Sequence, residues 1–195
     1  GILMNICLYG ASSNDIDRAY MDAVYSLTLT LAKRGHRLVY GGGGQGLMGA
    51  AARGITAGGG KIIGISPKFL NVDGILYDAD KCEEFIFTED MRSRKKLMEE
   101  KADAFVTVPG GIGTYEEFFE ILTLKQLGRH RKPMAIYNIG GYYEPLYRML
   151  EATADGGFMT HECLGLFRFT DDENEIIEYL DKGDDNFNGV KFKNI

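Results

Sequence analysis

One stretch decides the fold: Ala104-Phe105-Val106-Thr107-Val108-Pro109-Gly110-Gly111-Ile112-Gly113-Thr114. Its apolar run, 104–108, is typical of a buried strand, and the residues from Thr114 to about Leu127 predict a helix. Glycine lets the backbone approach a ligand closely, and the first amides of a helix are unpaired donors at the positive end of its dipole. The stretch therefore predicts an anion site that suits a phosphate group.

A carboxylate, Glu117, stands in the first turn of this predicted helix, where it can meet a sugar attached to the phosphate. The same spacing, Thr114-x-x-Glu117, also matches a capping box, in which the two side chains satisfy the amides of the helix start. Spacing alone leaves both interpretations open, because the box is a common signature of a helix start.

Outward from this stretch, strand-like and helix-like segments alternate along the chain. Strands are predicted at 4–9, 37–40, 61–65, 85–87, 104–108, 133–137 and 166–169, and helices up to 34 and at 47–57, 88–101, 114–127, 142–154 and 171–180. Between 67 and 84 the periodicity lapses, which predicts a long loop of the kind that is often functional. The alternation predicts an α/β fold, a Rossmann-like, doubly wound parallel sheet with helices on both faces in three layers. One such domain is expected over 1–182, followed by a polar tail at 183–195.

Three strand ends of this predicted sheet carry small, glycine-rich loops, at 10–14, 41–46 and 109–114. Ligands bind at the carboxyl ends of the strands in this fold class, so we expect the three loops to share one crevice. The loop 41–46 formally matches the dinucleotide fingerprint, but no acidic residue follows at the required distance. A tight turn beside a closely packed helix is therefore preferred there. Neither glycine loop ends in Gly-Lys-Ser/Thr, which argues against a triphosphate-binding P-loop.

Composition excludes several classes of function. The net charge of -6 disfavours nucleic acid and anionic membrane surfaces as partners. The three cysteines are scattered and odd in number, which predicts neither a zinc site nor a disulfide framework and favours a reducing, cytoplasmic setting. The three histidines lie far apart, so no metal site is predicted, and no apolar stretch is long enough to cross a bilayer.

A local basic cluster, 91–98, stands out in this acidic protein. Arg92 and Lys96 are expected on a solvated face, as is usual for charged residues. Arg94 differs, because it lies between two methionines on a half-apolar helical stripe. Its guanidinium has the geometry to clamp a phosphate or a carboxylate.

Four separated segments resemble those of the Lonely Guy family, the cytokinin riboside 5′-monophosphate phosphoribohydrolases long mislabelled as lysine decarboxylases. Pro109–Glu117 matches the family's PGGxGTxxE signature, and Tyr40–Gly43 with Gly46–Gly49 resembles its YGGG..GLMG segment. Gly10–Ser13 is similar to the family's first-loop GSS, and Met91-x-x-Arg94-Lys95 to its MxxRK element. Order and spacing agree over about residues 4–180. Relatives that carry molybdenum cofactor share the glycine loop, so a non-catalytic nucleotide or molybdenum-cofactor carrier stays open as the alternative.

The resemblance implies a nucleotide-binding hydrolase that breaks the N-glycosidic bond of an adenosine-type 5′-monophosphate, a cytokinin riboside monophosphate or AMP. The products are the free base and ribose 5-phosphate. Arg94 and Glu117 match the family's catalytic pair. Substrate contacts are implied at Ser12, Lys95, Gly110, Gly111, Ile112, Gly113, Thr114, Tyr115, Glu116 and Thr123. The family further implies no metal and no cofactor, a small-molecule nucleoside monophosphate as the partner, and a homodimer with its pockets near the subunit interface.

The chain departs from the family pattern in the long loop. After Pro67-Lys68 the family usually supplies a glutamate to the substrate, whereas this chain reads Asn71-Val72-Asp73-Gly74, which makes Asp73 the candidate substitute. Whether the base is adenine or an N6-substituted adenine stays open. No lysine stands in a context that indicates a pyridoxal Schiff base, so decarboxylation of lysine is rejected.

Overall fold

The computed structural model describes residues 2–184, and its centre is a seven-stranded parallel sheet between two layers of helices. The strands are β1 (Asn5–Tyr9), β2 (Arg37–Tyr40), β3 (Ile62–Pro67), β4 (Glu84–Thr88), β5 (Ala104–Thr107), β6 (Met134–Tyr137) and β7 (Arg168–Thr170). The helices are α1 (Arg18–Lys33), α2 (Gly46–Ala57), α3 (Met91–Lys101), α4 (Ile112–Gln126), α5 (Glu144–Asp155) and α6 (Glu173–Lys182). All the predicted strands and helices are present. Most of the predicted polar tail lies outside the described residues.

The order of the strands confirms the doubly wound prediction. From one edge to the other it is β4-β3-β2-β1-β5-β6-β7, so the chain winds outward from β1 in one direction and then in the other. The reversal places β5 directly beside β1, with Tyr9 opposite Thr107 at their carboxyl ends. Such a switch point leaves a crevice beyond the two strand ends, where ligands of this fold class bind.

Side chains of the inner strands alternate between two separate cores. On β1, Ile6 and Leu8 pack into the core beneath α1, α2 and α6, whereas Cys7 and Tyr9 pack into the core beneath α3, α4 and α5. Successive side chains of a strand point to opposite faces, and a parallel sheet covered on both sides therefore consists of nearly continuous apolar runs. The three layers predicted from the sequence follow from this arrangement.

Close packing of α1 against α2 depends on Gly54. A Cβ atom at this position would lie 2.0 Å from Thr28 Oγ1 and 2.6 Å from the carbonyl oxygen of Tyr25. The small residues of α2 thus let its backbone approach α1, which confirms the close helix packing expected after the second glycine loop. No helix within residues 2–184 is long and apolar enough to span a membrane.

The long loop between β3 and β4 folds back onto the glycine loop that follows β2. Gly43 and Leu76 form an antiparallel bridge, Gly44 N donates to the carbonyl oxygen of Ile75 at 2.9 Å, and Tyr77 N donates to that of Gly42 at 2.8 Å. These bonds fix the aperiodic segment over the carboxyl ends of the central strands.

Candidate active site

A cavity of about 680 Å³ opens at the carboxyl ends of β1, β2 and β5. The three small loops predicted to converge all contribute to its wall, as do the long loop and the starts of α2, α3 and α4. Its lining consists of Gly10, Ala11, Ser12, Ser13, Gly41, Gly43, Gln45, Met48, Leu70, Ile75, Leu76, Met91, Arg94, Gly111, Ile112, Gly113, Thr114 and Glu117.

Free backbone amides face this cavity at the start of α4. The helix is capped by Gly111, which has no side chain, and its first hydrogen bond joins Tyr115 N to Gly111 O at 3.0 Å. The amides of residues 112–114 precede this bond and have no acceptor within the helix. They also lie at the positive end of the helix dipole, so the arrangement suits an anion.

The capping-box interpretation of Thr114 and Glu117 is wrong. The helix begins at Ile112, two residues before the predicted start, so Thr114 lies inside its first turn and is not the N-cap. Glu117 accordingly lies in the second turn, where it cannot reach back to the helix start. Its carboxylate faces the cavity instead.

The start of α2 is a contrasting case, because its amides already have partners. Gly46 N donates to Asn14 Oδ1 at 2.8 Å, and the amides of Leu47 and Met48 donate to the carbonyl oxygen of Ala11 at 2.9 and 3.2 Å. The loop after β1 therefore occupies the position that a pyrophosphate takes in a dinucleotide-binding fold. This argues against the dinucleotide interpretation of the second glycine loop.

Glu117 has a strongly perturbed ionisation. The side chain of Glu117 is half-buried, and the loss of water around its carboxyl raises the pKa of that group to about 7. The positive charge of Arg94 opposes this increase in part. A carboxylate whose pKa is raised by desolvation, in a cavity, is typical of an acid or base in catalysis.

Arg94 is 8% exposed, and its Nε has no hydrogen-bond partner within residues 2–184. No carboxylate in this part of the chain lies within 4 Å of its guanidinium. A buried, unpaired cation is costly, and such a group is retained where a ligand supplies the missing partner. Gly41 makes room for it, because a Cβ atom there would lie 3.0 Å from Arg94 Nη1 and 2.9 Å from Met48 Cε.

Lys95, next to Arg94, forms ion pairs that tie α3 to α4. Its Nζ lies 2.5 Å from Glu116 Oε1 and 2.7 Å from Glu120 Oε2, and these contacts raise the pKa of the lysine. Within the described chain, five of the expected substrate contacts lie outside the cavity lining, namely Lys95, Gly110, Tyr115, Glu116 and Thr123. Their contact with substrate stays a prediction. Ser12, Gly111, Ile112, Gly113 and Thr114 line the cavity together with Arg94 and Glu117.

Sequence reasoning allowed the long loop to line a pocket but did not name the side chains that form an apolar wall of the cavity. Met48 and Met91 belong to it and stood within quoted motifs, which was the available signal. Leu70, Ile75 and Leu76 come from the aperiodic loop, for which no pattern indicated a direction. Asp73, the candidate substitute for a glutamate, is exposed and is not part of the lining.

Comparison with known proteins gives the same family over most of the chain. Residues 48–180 match the family model described as possible lysine decarboxylase. The chain is 39% identical over 155 residues to a probable cytokinin riboside 5′-monophosphate phosphoribohydrolase of Arabidopsis thaliana, LOG6, covering 80% of this chain and 76% of the relative. It is 34% identical over 188 residues to the phosphoribohydrolase LOG7 of the same plant, covering 96% of this chain and 86% of the relative.

Solved structures with the same fold include molybdenum cofactor proteins. The carrier protein of Chlamydomonas reinhardtii superimposes with a TM-score of 0.69 at 22% identity, covering 93% of this chain and 98% of that one. The molybdenum cofactor binding protein of the phototrophic bacterium Rippkaea orientalis gives 0.67 at 20% identity, with 93% and 98% covered. At these identities the likeness establishes the Rossmann-like fold alone.

Proposed function

The chain belongs to the Lonely Guy family of cytokinin riboside 5′-monophosphate phosphoribohydrolases, and from this premise we propose that it hydrolyses the N-glycosidic bond of an adenosine-type 5′-monophosphate. The products are the free base and ribose 5-phosphate. One observation carries the proposal: free helix amides, the buried Arg94 and the perturbed Glu117 line a single cavity.

The amides of residues 112–114 bind the 5′-phosphate of the substrate. Their donors are fixed by the helix, so the phosphate is bound without reorganisation of the protein. The phosphate is remote from the bond that breaks, and its binding energy holds the ribose in the orientation that the reaction needs. Arg94 supplies a second, fully charged partner for the nucleotide.

Glu117 acts on the ribose. Positive charge grows on the anomeric carbon as the glycosidic bond breaks, and a carboxylate beside that carbon stabilises it, as in glycosidases. The ionised carboxylate also orients the attacking water and accepts hydrogen bonds from the ribose hydroxyls. Because the pKa of the carboxyl is about 7, the required anionic form is abundant from neutral pH upward.

The apolar wall of Met48, Leu70, Ile75, Leu76 and Met91 supports an adenine with an apolar N6 substituent. A tight polar pocket for an unsubstituted base needs donors and acceptors for its exocyclic amine, and this wall offers apolar side chains instead. An isopentenyl-bearing nucleotide is therefore the preferred substrate, ahead of AMP.

Chromatography of reaction mixtures tests the function. The protein is incubated with AMP, isopentenyl-AMP, CMP and GMP, and free base is quantified. We expect base release from the two adenine nucleotides, faster from isopentenyl-AMP. Arg94→Ala and Glu117→Gln are expected to lose most of the turnover with the fold retained. Near-normal base release by either variant would remove that residue from the mechanism.

The same measurement separates the alternatives. A non-catalytic carrier binds the nucleotide saturably and releases no base. A pyridoxal-dependent lysine decarboxylase needs a lysine in its active site for the Schiff base, and no lysine is among the described residues that line the cavity. Carbon dioxide release from lysine with added pyridoxal phosphate would contradict this reasoning.

We further propose that the protein is a homodimer with its cavity near the interface. Exposed apolar side chains on and next to the lining support this, since Ile112 is 87% and Phe69 62% exposed in the single chain. Exposed apolar clusters of this kind commonly mark an interface. Light scattering is expected to give twice the mass of the chain, and a monomer at micromolar concentration would contradict it.

A further inference from the structure

The backbone carbonyl groups before α4 are all turned toward protein donors. The three carbonyl oxygens of residues 108–110 accept, in chain order, from Tyr143 Oη at 2.7 Å, from Ala11 N at 2.9 Å and from Tyr142 Oη at 2.6 Å. A carbonyl oxygen repels an anion, so an anion site at a helix start requires these groups to point elsewhere. Two adjacent tyrosines from the segment after β6, Tyr142 and Tyr143, hold two of these three carbonyl groups in that orientation.

The bond from Tyr142 also determines the direction of one amide. In a trans peptide the C=O and N–H groups point to opposite sides of one plane, and the described chain contains no cis peptide. With the Gly110 oxygen held by Tyr142, the N–H of Gly111 points away from that tyrosine. Gly111 lines the cavity and Tyr142 does not, which is consistent with an amide directed toward the cavity.

Sterics restrict only one side of this peptide. A Cβ atom built on Gly110 would lie 2.1 Å from Thr114 Oγ1, whereas one built on Gly111 meets nothing within 4 Å, so crowding does not fix the Gly111 side. The hydrogen bond from Tyr142 is the specific contact that selects one of the two orientations.

We propose that Tyr142 is a positioning residue, which holds the Gly110–Gly111 peptide so that its N–H joins the α4 amides in binding the 5′-phosphate. This inference rests on the proposed function, because it concerns how the proposed phosphate site is positioned.

Tyr142 is itself held in a hydrogen-bonded chain. Its Oη lies 3.3 Å from Tyr115 Oη. The single proton of Tyr142 is directed at the Gly110 oxygen, which can only accept, so Tyr115 is the donor in the contact between the two hydroxyls. Hydrogen bonds in such a chain strengthen one another.

The turn that carries Tyr142 is rigidly attached to the sheet. Asn138 follows β6 and is 4% exposed; its Oδ1 accepts from Tyr143 N at 2.7 Å, and its Nδ2 donates to Glu144 Oε1 at 2.9 Å. The ring of Tyr142 packs against that of Tyr143, with centroids 4.9 Å apart. The hydroxyl of Tyr142 is thereby fixed relative to β5 and its glycine loop.

Tyr142→Phe tests the role, because it keeps the ring and removes the hydroxyl. Calorimetry is used to measure the affinity for ribose 5-phosphate, which carries the phosphate, and for adenosine, which lacks it. Loss of one neutral hydrogen bond that orients a donor is expected to weaken ribose 5-phosphate binding about three- to tenfold. Adenosine binding is expected to change by less than about twofold, since it does not use the loop.

Two further variants complete the experiment. Tyr147→Phe is the matched control, since Tyr147 lies on α5, packs against Phe169 with ring centroids 4.6 Å apart, and is not part of the lining. It should leave both affinities unchanged. Tyr115→Phe removes the donor to Tyr142, while the bond from Tyr142 to Gly110 stays. We therefore expect a smaller loss of affinity for ribose 5-phosphate, again without a comparable loss for adenosine. This variant tests the role even if Tyr142→Phe does not fold.

The outcomes separate the inference from the function beneath it. Equal loss of both ligands, or no loss of either, in Tyr142→Phe and Tyr115→Phe would overturn the positioning role and leave the phosphate site intact. Wild-type protein that binds adenosine but not ribose 5-phosphate would overturn the phosphate site itself, and the positioning role with it.

Discussion

Replacing Glu117 with glutamine is expected to lower turnover and to raise thermal stability at the same time. Glutamine keeps the size of the side chain and removes its charge, so the cationic ribose loses its partner in the transition state. Removing one preorganised electrostatic contact typically lowers kcat by about 10²- to 10³-fold. We expect a loss of that size for release of base from isopentenyl-AMP.

The gain in stability follows from the ionisation of the same carboxyl. Its pKa is about 7 in the folded protein, chiefly because of burial, against an ordinary value of 4.5 that applies to the unfolded chain. The contribution of the carboxyl to folding is therefore most favourable below pH 4.5 and is lost as the pH rises to about 7. The difference between the folded and the unfolded pKa corresponds to at most about 3 kcal/mol of unfolding free energy. Because the side chain is partly exposed, we expect a contribution of about 1–2 kcal/mol.

Thermal denaturation at two pH values measures this gain. At pH 8 Glu117→Gln is expected to melt about 2–8 °C above the wild type, and near pH 4.5 the difference should vanish because both side chains are then neutral. Glu116→Gln is the control for stability, since the Glu116 side chain is 63% exposed and ion-paired to Lys95. That variant should gain nothing at pH 8. A Glu117→Gln variant that melts no higher at pH 8, or keeps more than about a tenth of kcat, would refute the reasoning.

Three other predictions follow from the cavity and the core. The kcat/KM for the nucleotide should fall about tenfold per pH unit below about pH 7 as Glu117 takes up its proton, and a limb near pH 4.5 instead would contradict the perturbed pKa. Gly41→Ala should lower kcat/KM about tenfold or more by displacing the guanidinium of Arg94, with little change in melting temperature because the Cβ meets the ends of flexible side chains. Gly54→Ala should lower the unfolding free energy by about 1–3 kcal/mol in urea denaturation, since its Cβ would meet α1 backbone at 2.6 Å. Gly165→Ala, whose Cβ meets nothing within 4 Å, should stay within about 0.5 kcal/mol of the wild type.

Local patterns were sufficient for the fold and for singling out Arg94 and Glu117. Apolar runs predicted the strands, because a strand covered on both faces has to be apolar on both. The alternation of strands and helices then restricted the sheet to a parallel, doubly wound arrangement, whose strand ends collect the ligand site. Arg94 could be singled out because a cation between two methionines contradicts the pattern of a solvated face.

The start of α4 shows where local patterns became ambiguous. Thr114 and Glu117 fit a capping box and a ligand site equally well, because both use the same residue types at the same spacing. The position of the N-cap separates the two interpretations. Gly111 is the N-cap, so the helix begins at Ile112, before Thr114. Lys95 is a further example: the family resemblance implied a substrate contact for it, which stays a prediction, and in the fold it forms ion pairs with Glu116 and Glu120.

The sequence by itself determined which segments form strands and helices, where glycine permits close approach, and which family the motifs resemble. The tertiary structure alone decided which of the two glycine loops keeps free amides. The α2 amides donate to Ala11 and Asn14, whereas the carbonyl oxygen of Gly110, before α4, accepts from Tyr142. Each of these partners lies about 30 residues or more away in the chain, and hydrogen bonds over such separations depend on how the strands are ordered in the sheet, which no local pattern of residues specifies.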